Sequence, residues 1–239
     1  MSGLLSVSSW TAWAPGLPDR AAWQEWAGGL RTPESAGEPA LPEIPAMLRR
    51  RADRLARMTL RAAFDVLGDR TGLPVVYVSR HGSVGRSAEL LEALARGEAL
   101  SPAGFAASVH NAAPGLLGIV RKDSAPYTAL AAEAGGVFAM LAEVMAFLAD
   151  GHAEVLAILS DEPVPACYSS YVTEPEFPAA WAGVFGLGDG TGTGTGLTLS
   201  QAAVPTPAYS EPEVLAWTRW LAGDTVSFDC ARGWQVRRV

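Results

Sequence analysis

One internal segment constrains the fold of this 239-residue chain more than any other. Tyr127 to Ala132 has the length and composition of a short buried strand, and Glu133-Ala134-Gly135-Gly136 contains the glycines of a tight turn. Val137 to Leu148 is an apolar run that Gly151 ends, and Ala153 to Ser160 is a nearly continuous apolar strand, typical of one covered on both faces. The segment predicts a strand, an elbow, a buried helix and a second strand, which is an α/β arrangement.

The apolar run is predicted to be a helix packed on several sides. Its large side chains recur at helical spacing, and the positions between them are small enough for close packing. The large side chains are Phe138, Leu141, Met145 and Leu148, and the small ones are Ala139, Ala142, Ala146 and Ala149.

Elements elsewhere are predicted from periodicity and from turn residues. Prolines deny residues 32–45 a regular hydrogen-bond pattern, so this segment is predicted to be a loop. Strands are predicted over 4–13, 74–79, 225–229 and 234–238, a hairpin over 179–187 and 197–204, and helices over 19–26, 46–67, 83–96 and 211–221. We expect one domain over 1–239, with its core at about 46–204 and a C-terminal helix and strands over 205–239.

Two stretches resemble a known family. Ser124-Ala125-Pro126 precedes the first strand of the elbow segment, and Ser108-Val109-His110-Asn111-Ala112 lies upstream, after Ser101-Pro102 and Phe105. They resemble the nucleophile region and the pocket-lining helix of the beta-ketoacyl synthases, in which Thr-Ala-Cys-Ser-Ser opens a buried helix. Pro126 and Gly151 align with the family's proline and glycine without a gap, and this alignment places Ala134 at the cysteine.

The resemblance implies a thiolase-like α/β fold that corresponds to the N-terminal half of a ketosynthase: a mixed sheet, a buried helix and flanking helices, with a truncated C-terminal half. The motif Ser-Val-His-Asn-Ala is similar to the corresponding sequence of short ketosynthase-like proteins of aryl polyene and related type II polyketide systems. Those proteins act as chain-length-factor-like partners of an active ketosynthase. The implied function is to shape the acyl tunnel and to stabilise the heterodimer that elongates polyene or fatty acyl chains on acyl carrier protein. The resemblance leaves a homodimer open for the isolated chain.

The departures from the family pattern predict a subunit without catalysis of its own. Condensation requires a thiolate, which Ala134 cannot provide. The chain ends at Val239, where full ketosynthases continue, and the two histidine motifs of the second half are missing. The elbow without a nucleophile comprises Glu133, Ala134 and Gly135, and Glu133 is offset by one residue from the glutamine that replaces the cysteine in chain-length factors.

The upstream motif supplies the candidate tunnel and interface residues Phe105, Val109, His110 and Asn111. Phe105 is the favoured tunnel wall, because a bulky apolar side chain on a partner-facing helix limits the space for a growing chain. His110 and Asn111, on a helix predicted to begin near Ser108, either point toward that tunnel or satisfy backbone groups beside the elbow. The second interpretation is favoured.

The helix predicted over 46–67 is rich in arginine. The resemblance makes them candidates for docking an acidic acyl carrier protein, whereas a solvated helix face paired with Asp53 and Asp65 is the favoured interpretation. The candidate docking residues are Arg49, Arg50, Arg54, Arg57 and Arg61.

A second function class rests on Arg80-His81-Gly82, which ends the strand predicted over 74–79. This motif resembles the phosphate-accepting signature of the histidine phosphatases, in which the imidazole attacks phosphorus and the arginine neutralises the oxyanion. That family also needs a second histidine, for which His152, followed by Glu154, is the only candidate. The favoured interpretation is a glycine-bearing loop near the subunit interface.

Composition excludes several other classes. A net charge of −7 argues against nucleic-acid binding, and no apolar run is long enough for a membrane span. The N-terminus does not have the basic segment of a secretory signal, so we expect a cytoplasmic protein. Cys167 and Cys230 are far apart in no zinc-binding pattern, and no cofactor or metal is expected.

Overall fold

The computed structural model describes residues 4–132, 135–188, 194–202, 210–230 and 233–239. Its strands are β1 (Leu5–Trp13), β2 (Val75–Ser79), β3 (Tyr127–Ala131), β4 (Glu154–Asp161), β5 (Ala179–Leu187), β6 (Thr195–Gln201), β7 (Ser227–Cys230) and β8 (Trp234–Arg238). Its helices are α1 (Arg20–Ala27), α2 (Ala46–Arg49), α3 (Arg54–Leu67), α4 (Val84–Ala95), α5 (Pro102–Ala106), α6 (Ala112–Arg121), α7 (Gly136–Ala149) and α8 (Glu213–Ala222). A 3₁₀ helix covers Ala166–Tyr171.

The strands form one mixed sheet in the order β3-β2-β4-β5-β1-β6-β8-β7. The strands β3, β2 and β4 are parallel, and helices connect them, whereas the remaining neighbours pair antiparallel. The elbow segment therefore contributes two parallel strands that flank β2, with α7 crossing between them. This is the α/β arrangement that the sequence predicted.

Helices cover both faces of the sheet. On one face, α1, α7 and α8 pack against side chains such as Val76 of β2 and Val155 of β4. On the other face, α3 and α6 pack against Tyr77 and Leu156, the next residues along the same strands. Alternate residues of a strand point to opposite faces, so β2 and β4 are buried on both sides, as their apolar sequences predicted. The buried set also includes Leu5 of β1 and Trp217 of α8, outside residues 46–204; the single-domain organisation stays a prediction.

The prediction of one long helix over 46–67 is wrong, because the chain turns between α2 and α3. Asp53 has an extended backbone, and its side chain accepts a hydrogen bond from the backbone N–H of Ala56, so it caps a new helix at Arg54. Aspartate is a favoured N-cap because its oxygen satisfies an N–H group that has no partner within the helix. The helical spacing of apolar residues continues across this turn, so the sequence pattern did not indicate it.

Three predictions about strands and burial also need correction. The strands β5 and β6 are not a hairpin, because β1 lies between them in the sheet. The strand β3 is at the edge, so it is partly exposed rather than buried. The helix α7 is fully buried on one side, formed by Val137, Met140, Leu141, Val144 and Leu148, whereas Phe138 and Met145 are only partly buried.

Candidate functional site

The elbow lies between the end of β3 and the start of α7. Gly135 has a φ of 93°, a conformation that glycine adopts at little cost, and it directly precedes the first helical residue. Gly135 has no side chain to cap the helix, so the exposed N–H groups of the first turn need another acceptor. Glu133 and Ala134, the other two residues predicted for this site, lie outside the described residues.

Glu213 supplies that acceptor from the other end of the chain. Its Oε2 accepts a hydrogen bond from the N–H of Gly136 at 2.8 Å, and its Oε1 accepts one from the N–H of Val137 at 3.1 Å. The side chain is buried, and a Cβ on Gly136 would lie only 2.9 Å from Oε2. A carboxylate thus fills the N-terminal end of α7, where the helix dipole favours negative charge.

Packing of α8 fixes the position of Glu213, which is the first residue of that helix. The ring of Trp217 lies edge-on to Trp181 of β5, with centroids 5.7 Å apart. The lack of a side chain at Gly183 leaves space for the Trp181 ring, because a Cβ at Gly183 would lie 2.4 Å from that ring. The aromatic cluster anchors α8 against the sheet, and the carboxylate is therefore held by a rigid element.

A second carboxylate lies next to Glu213, at the end of β4. Asp161 Oδ1 accepts hydrogen bonds from the N–H of Arg80 at 2.7 Å and from the hydroxyl of Ser79 at 3.0 Å. Loss of hydration, with a further contribution from the charge of Glu213, raises the pKa of Asp161 to about 7, against the opposing effect of its hydrogen bonds. Asp161 and Glu213 therefore interact electrostatically, and protonation of Asp161 near neutral pH relieves their repulsion.

His110 and Asn111 make different contacts from one another, and neither belongs to the helix predicted to begin near Ser108, since α6 begins at Ala112. The His110 Nε2–H donates to the carbonyl of Ser79 at 3.0 Å, and its ring lies against Gly82. Asn111 donates to the hydroxyl of Tyr127 at 3.1 Å, at the sheet edge. His110 therefore holds the loop after β2, and Asn111 connects α6 to the edge strand.

A cavity of about 220 Å³ lies beside these residues, next to the edge strand. Small side chains contribute much of its wall, together with Val109, Asn111 and Tyr127, and the charged residues Arg51 and Asp53 also line it. The small residues are Ala56, Ala106, Ala107, Ala112 and Gly115. Of the predicted tunnel and interface residues, Val109 and Asn111 therefore meet at one cavity. Phe105 is 64% exposed and does not line it.

The arginines predicted to dock a carrier protein are mostly paired with carboxylates. Arg54 binds Glu162, Arg57 binds Glu38, and Arg61 binds Glu43 and Asp65. Arg49 donates to the carbonyl of Leu41, whereas Arg50 is exposed. Pairing reduces the positive charge that this segment offers to an acidic partner, and carrier-protein docking stays a prediction.

The geometry around Arg80 and His81 does not favour phosphoryl transfer. The Arg80 guanidinium pairs with Glu174 at 2.9 Å, and His81 lies 3.8 Å from Glu176. His152 precedes the start of β4, whereas His81 follows the end of the parallel strand β2. The two histidines are thus at opposite ends of the sheet, and acidic groups occupy the surroundings in which a phosphate would bind.

Other chemistry finds little support in the described part of the chain. It contains no group of three or more metal-ligating side chains and no helix that is long and apolar enough to cross a membrane. Both cysteines are free, with Cys167 exposed and Cys230 buried. Burial raises the pKa of the Cys230 thiol, so it is a poor nucleophile.

Glu213 is the functional residue that sequence reasoning missed. Glu213 lies 77 and 76 residues after its hydrogen-bond donors Gly136 and Val137 in the chain, so no local sequence pattern connects them. The glycine pair at 135–136 was a partial signal, because neither residue has a side chain that could cap α7.

Comparisons with known proteins give consistent results. The family model described as "Beta-ketoacyl synthase, N-terminal domain" matches residues 23–235. A chain from the structure of a ketosynthase (ApeO) in complex with its chain length factor (ApeC) from Xenorhabdus doucetiae is 26% identical, with a TM-score of 0.83. That match covers 98% of this chain and 98% of the other.

Two further structures resemble this chain in fold. The ishigamide ketosynthase/chain length factor is 16% identical, with a TM-score of 0.65 over 84% of this chain and 68% of the other. A chain from the structure of a type II PKS acyl-carrier protein in complex with its ketosynthase bound to the hexaketide (AntDE:AntF) is also 16% identical, with a TM-score of 0.62. That match covers 86% of this chain and 71% of the other. No curated protein matches the sequence.

Proposed function

The chain belongs to the beta-ketoacyl synthase N-terminal domain family, and on that premise we propose that it is a non-catalytic, chain-length-factor-like partner of an active ketosynthase. Its layers are those of the thiolase-like α/β fold, which confirms the fold class expected from the sequence. The observation that carries the proposal is the elbow. The alignment predicted from the sequence puts Ala134 where the family has its nucleophile, and Glu213 occupies the N-terminal end of the helix that follows.

An incompletely covered edge supports association with a partner. Among the residues that the structure describes, β3 has a strand neighbour on one side only, which leaves backbone groups available for pairing. Large apolar side chains are exposed around it, on β3, on α6 and in the segment before α6: Phe105, Val109, Ile119 and Tyr127. Exposed apolar groups of this kind mark interaction sites more often than free surface. The 26% identical match from a complex of a ketosynthase with its chain length factor supports a ketosynthase as the partner.

We assign the small-walled cavity beside Val109 and Asn111 to the end of the acyl tunnel that the two subunits share. The reaction, decarboxylative condensation of an acyl thioester with malonyl carrier protein, then belongs to the partner's cysteine and histidines. This chain supplies the wall that limits the product length. An aryl polyene pathway, a cytoplasmic location and carrier-protein contact at Arg50 are further parts of this proposal.

An interface variant tests the proposal. Replacing Ile119, which is 57% exposed on α6, by Glu should abolish co-purification with the cognate full-length ketosynthase, because association would bury a charge without a partner. The measurement is size-exclusion chromatography with light scattering after co-expression. Leu30→Glu is the matched control, since Leu30 is 84% exposed after α1, and this variant should form the heterodimer normally.

A heterodimer that survives Ile119→Glu unchanged would contradict the proposed interface. A wild-type chain that never associates with the ketosynthase would contradict the proposed function itself. Isolated wild-type chain is expected to form homodimers through the same edge, and Ile119→Glu should convert them to monomers.

A further inference from the structure

A larger cavity lies near the other end of α3, where β2 and β3 begin. Its volume is about 590 Å³, which falls in the range of small-molecule sites. Its apolar wall comes from the end of α3, from α6 and from the first residues of the strands: Leu67, Leu73, Val75, Leu117 and Leu156. The elbow follows the opposite end of β3, so the two sites are separated by roughly 15 Å of strand.

Cations surround this apolar space. Arg70, Arg121 and Lys122 contribute to its lining, and Asp123 is the only acidic residue that does. Both oxygens of Asp123 are already used, since Oδ1 accepts from the N–H of Ala125 and Oδ2 from the N–H of Gly72. Arg70 has a distant pairing with Glu154, at 3.7 Å. The cavity is therefore a local positive site on a chain whose net charge is −7.

The Arg121 guanidinium is held in place and is only partly satisfied. Its Nη2 donates to the carbonyls of Gly68 at 3.1 Å and of Arg70 at 2.5 Å. Its Nε is buried and has no hydrogen-bond partner within the residues that the structure describes. The fixed guanidinium of Arg121 therefore adds positive charge to the lining of the cavity, which favours an anionic ligand.

We propose that this cavity binds a medium-chain fatty carboxylate, with its alkyl chain against the leucines and its carboxylate among Arg70, Arg121 and Lys122. Charge complementarity selects an anion, and the apolar wall selects an aliphatic chain. This site does not depend on the proposed acyl tunnel. The two cavities have Gly115, Ile119 and Tyr127 in common but lie toward opposite ends of α3.

Isothermal titration with decanoate below its micelle threshold tests this site. Wild-type chain should bind decanoate, and the affinity should fall at high salt because the head-group contacts are ionic. Decanol has the same chain without the charge, and it should bind at least about tenfold more weakly. The double variant Arg70→Gln/Lys122→Gln should weaken decanoate binding by a similar factor. Arg96→Gln should not change it, because Arg96 is an exposed arginine directly after α4 that does not line the cavity.

Leu73→Trp should weaken decanoate binding by narrowing the cavity, and circular dichroism checks that this variant is folded. The titration uses the isolated full chain, because Ile119 and Tyr127 line this cavity and also belong to the proposed interface with the ketosynthase. No decanoate binding, equal binding of decanol, or binding unchanged in the double variant would overturn the proposal.

Discussion

Replacing Glu213 by Ala should lower the free energy of unfolding by about 2–3 kcal/mol, because the substitution leaves the N–H groups of Gly136 and Val137 without their acceptor. The loss is smaller than the sum of two orphaned donors, since removing the charge also relieves repulsion of Asp161. Urea denaturation followed by tryptophan fluorescence measures the change. The same variant should lower the pKa of Asp161, because the charge of Glu213 contributes to raising it.

Two further variants separate the hydrogen bonds from the charge. Glu213→Gln keeps one acceptor for the first turn of α7 and should lose less stability than Glu213→Ala. Glu211 lies two residues before Glu213, and Glu211→Ala removes its ion pair with Arg219. A partly exposed pair of this kind contributes at most about 1 kcal/mol to the free energy of unfolding. If Glu213→Ala proved no more harmful than Glu211→Ala, the assignment of Glu213 as the cap of α7 would be wrong.

Filling the small-walled cavity should shorten the products of the heterodimer. Ala112→Phe and Ala107→Phe each place a ring into a space of about 220 Å³, so a growing chain meets the wall earlier. Products should lose one or more extension units while the total rate of condensation is retained, because the partner's catalytic groups are unchanged. Mass spectrometry of the carrier-bound products, made by the co-purified complex, gives the distribution.

Ala103→Phe provides the control for chain length. Ala103 is exposed on α5 and does not line the cavity, so the same substitution adds the same ring outside the proposed tunnel. An identical product distribution from Ala112→Phe and Ala103→Phe would remove the cavity from the tunnel. Size-exclusion chromatography of each complex distinguishes a changed tunnel from a failed assembly.

The fold was predictable where local pattern and burial agree. The strand, elbow, helix and strand of residues 127–160 follow from an apolar run between glycines, and β2 and β4 have the apolar sequences of strands covered on both faces. Pairing partners were not predictable, because β1 inserts between β5 and β6 through contacts across most of the chain. The break between α2 and α3 depended on one capping aspartate within a continuing periodicity.

Only one part of the site was reached from the sequence, and it stays a prediction. The gapless alignment between Pro126 and Gly151 places Ala134, which has no nucleophilic group, at the family's cysteine, but residue 134 lies outside the residues that the structure describes. The contribution of Glu213 was inaccessible, because a residue on the last helix acquires its role only when α8 packs against the sheet. His110 illustrates the intermediate case, since its type suggested chemistry and its hydrogen bond to Ser79 shows a structural contact.

Intact-mass spectrometry of both subunits during chain elongation tests the central claim most directly. The complex is supplied with acyl and malonyl carrier protein, and the covalent acyl group is followed on each polypeptide. We expect every acyl adduct on the ketosynthase and none on this chain, together with elongation that requires both subunits. An acyl adduct on this chain, or equal elongation by the ketosynthase alone, would contradict a non-catalytic partner.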